Sequence, residues 1–241
     1  GLHEPRATHL AMLAALADSC HLSLAYEQAL QRLAIDTVDA LVIHDLDAGF
    51  HGDDLAARQA ELEERGGVRA LQELKAAGDI KAIGMGVNTD EALETVASRV
   101  PLDFALVAMP YTLLDQKSLH AGMQSCIDRG VSVIIGAPFA SGALVTGSTG
   151  PMRYAYGAAP EAVRAKVAGI ERVCAAHGVS MAAAALQFVL AHPAVASVIP
   201  GAARPEEVRE NLASFAAPIP AAFWADLKAE GLLVADAPVP A

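Results

Sequence analysis

Short apolar runs alternate with longer amphipathic or polar stretches along this chain. Residues 38–44 (VDALVIH) form such a run without a polar alternation, the pattern of a strand buried on both faces. Residues 80–86 (IKAIGMG), 103–109, 131–135 (VSVII) and 195–199 repeat it, so five strands are predicted. Between and after them the spacing predicts helices over 68–77, 90–98, 117–129, 160–177, 180–191, 205–215 and 221–230. Their ends are punctuated: Gly78, Gly130 and Gly178 follow helix C-termini, Pro160 opens one helix, Ser180 caps another, and Thr89 or Asp90 caps a third. Residues 8–34 read as one helix, with Leu13, Leu16, Leu30 and Leu33 among its apolar positions. Residues 46–65 are charged and read as loop with some helix. Residues 136–160 form a long Gly/Ser/Ala/Pro loop, of which 143–159, with Tyr154 and Tyr156, has the length of a binding loop or lid.

Strand and helix alternate five times with no hairpin signal between strands, which argues for parallel βα units. Two architectures answer to that order, an open doubly wound sheet and a closed (β/α)8 barrel, and five strands alone favour the open sheet. A length of 241 residues suits a single domain over 1–241, and 54% hydrophobic residues suffice for a large core. The net charge of −11, with 17 basic residues scattered and never clustered, argues against nucleic acid as a partner. The longest apolar stretch, 181–192, is broken by Gln187 and is too short to span a bilayer, so no membrane partner is expected. Cys20, Cys126 and Cys174 are odd in number, far apart and free of any Cys-x-x-Cys spacing. They read as thiols in a reducing compartment, and the polar residues 1–6 show no leader pattern, so a cytoplasmic protein is expected.

In either parallel architecture ligands gather where strands end. That edge comprises residues 44–45, 86–88, 109–111, 136–139 and 200–202, and His44 is its one good proton-transfer group. A rival reading takes His44, Asp45, Asp47, His51, Asp53 and Asp54 as ligands of a divalent ion in a barrel hydrolase. Metal sites draw ligands from several strands, and no second His/Asp group stands at the other strand ends. A solvated acidic loop is therefore the plainer reading, and no metal is expected. Gly84-x-Gly86 lacks the third glycine and the immediate helix of a dinucleotide fingerprint.

Several segments, in order, resemble the aldo-keto reductase family. Residues 31–45 (QRLAIDTVDALVIHD) are similar to a helix end and strand of that family, and 70–88 (ALQELKAAGDIKAIGMGVN) to its next helix and strand. Residues 111–115 (YTLLD) and 195–212 (VASVIPGAARPEEVRENL) continue the likeness, the latter matching a cofactor-binding stretch. Residues 136–142 (GAPFASG), 177–192 and 220–232 (PAAFWADLKAEGL) further resemble the NAD-linked D-threo-aldose or L-fucose 1-dehydrogenase branch. The resemblance implies a (β/α)8 TIM barrel of aldo-keto reductase type, with about five of the eight βα units recognisable. It implies an NAD(P)-dependent oxidoreductase that oxidises an aldose at C1 or reduces a small aldehyde by hydride transfer, with a sugar or aldehyde as substrate.

Carried over residue by residue, the resemblance makes His44 the catalytic histidine, a neutral imidazole donating a hydrogen bond to the substrate oxygen. Pro200, Gly201 and Ala202, with Glu210 and Asn211, match the stretch that holds the adenosine end of the cofactor. The helix start near Pro205 offers N–H groups to phosphate. Glu207 and Gly201 stand where relatives using the 2′-phosphorylated cofactor carry Arg and Lys, which favours NAD over NADP; alternatively Glu207 only stabilises a helix N-terminus. Gly136, Pro138, Phe139, Ser141 and Gly142 match the loop beneath nicotinamide and pyrophosphate, with Phe139 or Tyr111 supplying apolar contact. Asn88 is a candidate for the carboxamide. The tyrosine, lysine and aspartate of the family's catalytic set would precede Gln31 and are not found there; Tyr26 reads as a helix residue. The implied front strands are thus either unlisted, replaced through homo-oligomerisation, or lost in a non-catalytic NAD-binding remnant.

Overall fold

The computed structural model describes residues 10–14, 19–155 and 157–241, with side chains described from residue 22 onward. The polar residues 1–6 and Tyr156 lie outside the described residues, as does the side chain of Cys20. In chain order the elements are β1 (Leu10–Ala14), α1 (Ser19–Leu33), β2 (Ala40–His44), α2 (Ala48–His51), a 3-10 turn (Gly52–Asp54), α3 (Leu55–Glu64), α4 (Gly67–Ala77), β3 (Ala82–Val87), α5 (Asp90–Arg99) and β4 (Phe104–Val107). They continue with α6 (Gly122–Arg129), β5 (Ser132–Ile135), α7 (Ala143–Thr146), β6 (Arg153–Tyr154), β7 (Gly157–Ala158), α8 (Glu161–His177), α9 (Met181–Leu190), β8 (Val195–Val198), α10 (Pro205–Ala216) and α11 (Ala221–Ala229). The chain divides into two compact units.

The first unit comprises Gly1–Leu106 and Arg129–Val131. Its strands lie in the order β1-β2-β3-β4. β2 is parallel to both neighbours, with Ala14 opposite His44 and His44 opposite Gly86. Leu41, Val42, Ile43, Ile83 and Met85 are all buried, as expected of strands covered on both faces. The single helix expected over 8–34 is not what forms: Leu10–Ala14 is a strand and the helix runs from Ser19. LAMLA is a short apolar run whose periodicity cannot separate buried strand from buried helix, and pairing with β2 decides it. Tyr26 sits on α1, buried, its hydroxyl donating to Asp79 O at 3.3 Å, a packing role.

Residues 46–65 are mostly helical, and Thr89 rather than Asp90 caps α5, accepting from Ala92 N at 3.3 Å. Asp103 ties α4 to the sheet, accepting from Lys75 Nζ at 2.5 Å and from Ile83 N at 2.8 Å. Gly84 is needed for packing: a Cβ there would lie 2.3 Å from the ring of Phe104.

The second unit comprises Val107–Asp128 and Ser132–Ala241. β5 and β8 are parallel, with a register slip between Val133 and Ile134. The core is organised by α9, on which Ala183, Ala184, Ala185, Leu186, Phe188 and Val189 are buried. Phe188 stacks on Tyr111 at 5.4 Å, and Trp224 and Phe223 extend the aromatic cluster. His192 stands edge-on to Tyr111 at 5.0 Å, and its Nδ1 accepts from Ala194 N at 3.2 Å. The helix expected from Lys117 begins at Gly122, because Asp115 draws Lys117 N into a turn at 3.0 Å. Cys126 and Cys174 are buried thiols. Among the described residues no helix is long and apolar enough to cross a membrane.

Two outcomes follow from this packing. Gly84→Ala forces a methyl against Phe104 and lowers unfolding free energy by about 1–3 kcal/mol, read from urea denaturation; Phe104→Leu in the same chain restores part of the loss. His192, whose burial pushes its pKa down from 6.5 to about 4, folds neutral while the unfolded chain takes up a proton. Its contribution is complete above the unfolded value, is lost as pH falls from about 6.5 to about 4, and is flat below that. His192→Gln flattens that part of the stability-versus-pH curve, a change on the order of 3 kcal/mol at most.

Candidate functional site

In the first unit the chemistry sits at the C-terminal end of β2. Asp45 follows His44 with a φ of 51°, in the left-handed region that Asp tolerates better than most residues. Its N–H donates to Gly86 O at 2.9 Å, so β3 fixes the backbone there. Asp45 Oδ2 lies 3.2 Å from His44 Nδ1, and Asp45 Oδ1 accepts from Asn88 Nδ2 at 3.0 Å. Burial raises the Asp45 carboxyl above the ordinary carboxylate range; His44 opposes that rise, and Asp47 adds to it. Asp47 is itself buried and caps α2, accepting from Gly49 N at 2.9 Å, while Asp53 and Asp54 are exposed. Among the described residues no group of three or more His, Cys, Asp or Glu side chains is placed to hold a metal ion.

The second unit contains a cavity of about 550 Å3. Gly136, Pro138, Phe139, Ser141 and Gly142 of the loop after β5 line one part of it, and Gly201, Glu207, Glu210 and Asn211 another. Those nine are drawn from the twelve residues the sequence assigns to a cofactor. Pro200 and Ala202 flank Gly201 without lining the cavity, and Asn88 lies in the first unit with its amide on Asp45. Tyr111 is fully buried against Phe188 and lines no part of it, which leaves Phe139 as the apolar contact of the two considered. Sequence reasoning missed Val145, Thr146, Ala182, Arg204 and Ser214 as lining residues. Arg204 was the most legible of them, being a lone cation one residue before the helix-opening Pro205.

The wall formed by α10 is unusual in having no buried residue. It is held from behind by Gln187 of α9, whose Nε2 donates to Ser214 O at 2.9 Å and Ala217 O at 2.8 Å. At the other end Glu207 folds back over the helix start. It accepts from Ala203 N at 2.6 Å and from Arg204 Nε at 3.0 Å. Those bonds, the Ala203 N–H first, hold its carboxyl below the ordinary range. Glu207 thus serves the helix N-terminus and lines the cavity at once.

The loop over 143–159 is tied down. α7 opens it, β6 and β7 make a small antiparallel hairpin, and Tyr154 donates from its hydroxyl to Asp115 Oδ2 at 3.1 Å. Burial and that bond push the Tyr154 pKa up to about 12. Glu171 accepts from Ser148 N at 3.0 Å, and Arg164 donates to Ser148 O and Gly150 O.

The sequence pattern of the aldo/keto reductase family matches residues 19–230, and the chain belongs to that family. It is 36% identical over 208 residues to a pyridoxal 4-dehydrogenase of Microbacterium luteolum, covering 86% of this chain and 61% of that protein. It is 34% identical over 205 residues to a D-threo-aldose 1-dehydrogenase of a Pseudomonas species, covering 85% and 59%. The chain therefore spans about three fifths of the length of these curated relatives. An aldo-keto reductase of Bacillus halodurans, solved in its holo form, superposes with a TM-score of 0.67 at 22% identity, over 90% of this chain and 68% of that one. That likeness shows the fold, the α/β barrel of (β/α)8 type, of which the parallel strands described above are a part.

The cavity suits a dinucleotide. Its volume lies within the ordinary range for small-ligand sites. Gly142 and Gly201 face open space where a side chain would intrude, and Arg204, Ser141 and Thr146 offer donors beside the start of α10.

Proposed function

We propose that this chain is part of an NAD(P)-dependent oxidoreductase, a single aldo-keto reductase domain over 1–241 that oxidises an aldose at C1 or reduces a small aldehyde. The observation that carries this is the cavity of the second unit, which gathers nine residues the sequence had marked for a dinucleotide. The family membership and the dehydrogenase names of two relatives support the reaction class. A sugar substrate is favoured by the likeness to the D-threo-aldose enzyme.

In this reading Gly136, Pro138 and Gly142 let the backbone approach the cofactor, Phe139 lies against an apolar part of it, and Glu210 and Asn211 accept and donate at the adenine. Bound there, the nicotinamide supplies the hydride acceptor or donor. His44, partly exposed at the end of β2, handles the substrate oxygen. NAD is preferred over NADP because Glu207 keeps Arg204 occupied and presents a carboxylate where a 2′-phosphate would sit.

Two measurements test this. His44→Ala lowers kcat for aldose oxidation by about 100-fold or more, the usual contribution of a proton-transfer group, while the NAD dissociation constant from fluorescence titration stays within about twofold. Unchanged turnover removes His44 from the reaction, and NAD binding without turnover in the unaltered chain makes dinucleotide binding its whole activity. Glu207→Arg removes the carboxylate, frees Arg204 and adds a second cation, so affinity for the 2′-phosphorylated cofactor rises by about tenfold or more relative to NAD. Equal affinities before and after sink the cofactor preference.

A further inference from the structure

We propose that Asp45, held by Asn88, fixes the His44 imidazole with its proton on Nδ1, so that Nε2 is the proton-accepting nitrogen that faces substrate. This rests on the reading of His44 as the residue that handles the substrate oxygen, and it changes what that residue does. A neutral imidazole that donates from Nδ1 has only a lone pair at Nε2. It cannot give a hydrogen bond to a carbonyl through Nε2, but it can take the proton of a hydroxyl.

The geometry behind this begins in the backbone. On a regular strand, successive side chains point to opposite faces, so His44 and Asp45 would not meet. The φ of 51° at Asp45 ends that alternation, and the bond from Asp45 N to Gly86 O holds the turn in place. The carboxylate then reaches the ring of its own neighbour, with Oδ2 at 3.2 Å from Nδ1. Its other oxygen is taken by Asn88 Nδ2 at 3.0 Å, from the end of β3. An ionised carboxylate has no proton to donate, so at a neutral ring the proton of this contact belongs to Nδ1. The Asp45 side chain is 16% exposed against 37% for His44, so the anchoring group is the more buried and the ring the more accessible. Asp47 and His51 are the other titratable groups acting on Asp45, and Asp47 is committed to capping α2.

In the oxidation direction the hydroxyl O–H bond breaks and its proton passes to Nε2. The carbon–hydrogen bond breaks with its electron pair leaving as hydride to an oxidised nicotinamide, the oxidant of the proposed function, and the carbonyl forms. The ring becomes imidazolium, its new charge facing Asp45. In the reverse direction the same imidazolium returns the proton. Asn88 is, on this account, a positioning residue acting through Asp45 and not a ligand of the carboxamide.

The test reads the tautomer directly. Protein labelled with 15N-histidine is recorded in long-range 1H–15N correlation at a pH well above the ordinary imidazole pKa of about 6.5, with His44 identified as the spin system absent from His44→Gln. The expected result is a protonated Nδ1 and a bare Nε2. In Asp45→Asn, which suits the same φ, Asn88 still donates to the Oδ1 position. The new amide therefore turns its N–H toward the ring, and the proton moves to Nε2. Asn88→Ala leaves Asp45 less fixed and gives a mixture. A protonated Nε2 in the unaltered protein, or an unchanged pattern in Asp45→Asn, overturns the proposal. Loss of turnover in His44→Ala with a protonated Nε2 would leave the proposed function standing and this inference refuted. The expected tautomer with full turnover in His44→Ala would do the reverse.

Discussion

The end of β2 is where main-chain hydrogen bonding turns into chemistry. β2 is paired in register on both sides, and its ladder reaches Asp45, whose N–H still bonds to Gly86 O at 2.9 Å. A residue held there by its backbone has little freedom in where it sends its side chain. The positive φ then decides that Asp45 meets His44 rather than the opposite face of the sheet. The cost of a non-glycine residue in that region, of order 1 kcal/mol or more, is offset by two side-chain contacts and one main-chain bond at the same position.

A comparable dependence appears in the second unit, carried by side chains instead. α10 buries no residue of its own, so the hydrophobic effect does not fix it. Gln187 does, by donating to the last carbonyls of the helix from a helix that is deeply buried. Glu207 and Arg204 close the opposite end. A wall held by polar bonds at both termini is suited to lining a cavity, because its exposed face carries Glu210 and Asn211 without any need to pack.

The aromatic cluster explains a separate constraint. Tyr111, Phe188, Phe223 and Trp224 fill the interior under α9, and His192 closes one side as a neutral ring. Tyr111 stands directly after a strand edge that sequence reasoning reserved for ligands. Its burial shows that position at the edge does not by itself make a side chain available, since the following turn, built by Thr112, Asp115 and Gln116, folds it inward.

The sequence by itself determined the order of elements, and did so wherever pattern and punctuation agreed. Runs such as 38–44 had no polar face to expose, and Gly78 and Gly178 stopped helices where the left-handed region is needed. It also marked most of the cavity, because small residues after β5 and the Gly201–Asn211 segment are legible as places where a backbone can approach a ligand. Tertiary structure alone decided the identity of Leu10–Ala14 as a strand, since only a paired neighbour separates a buried strand from a buried helix at that length. It alone turned Asp45 and Asn88 from members of an acidic loop and a cofactor list into partners of His44. Their contact joins residues 43 positions apart through a backbone angle that no local pattern announces.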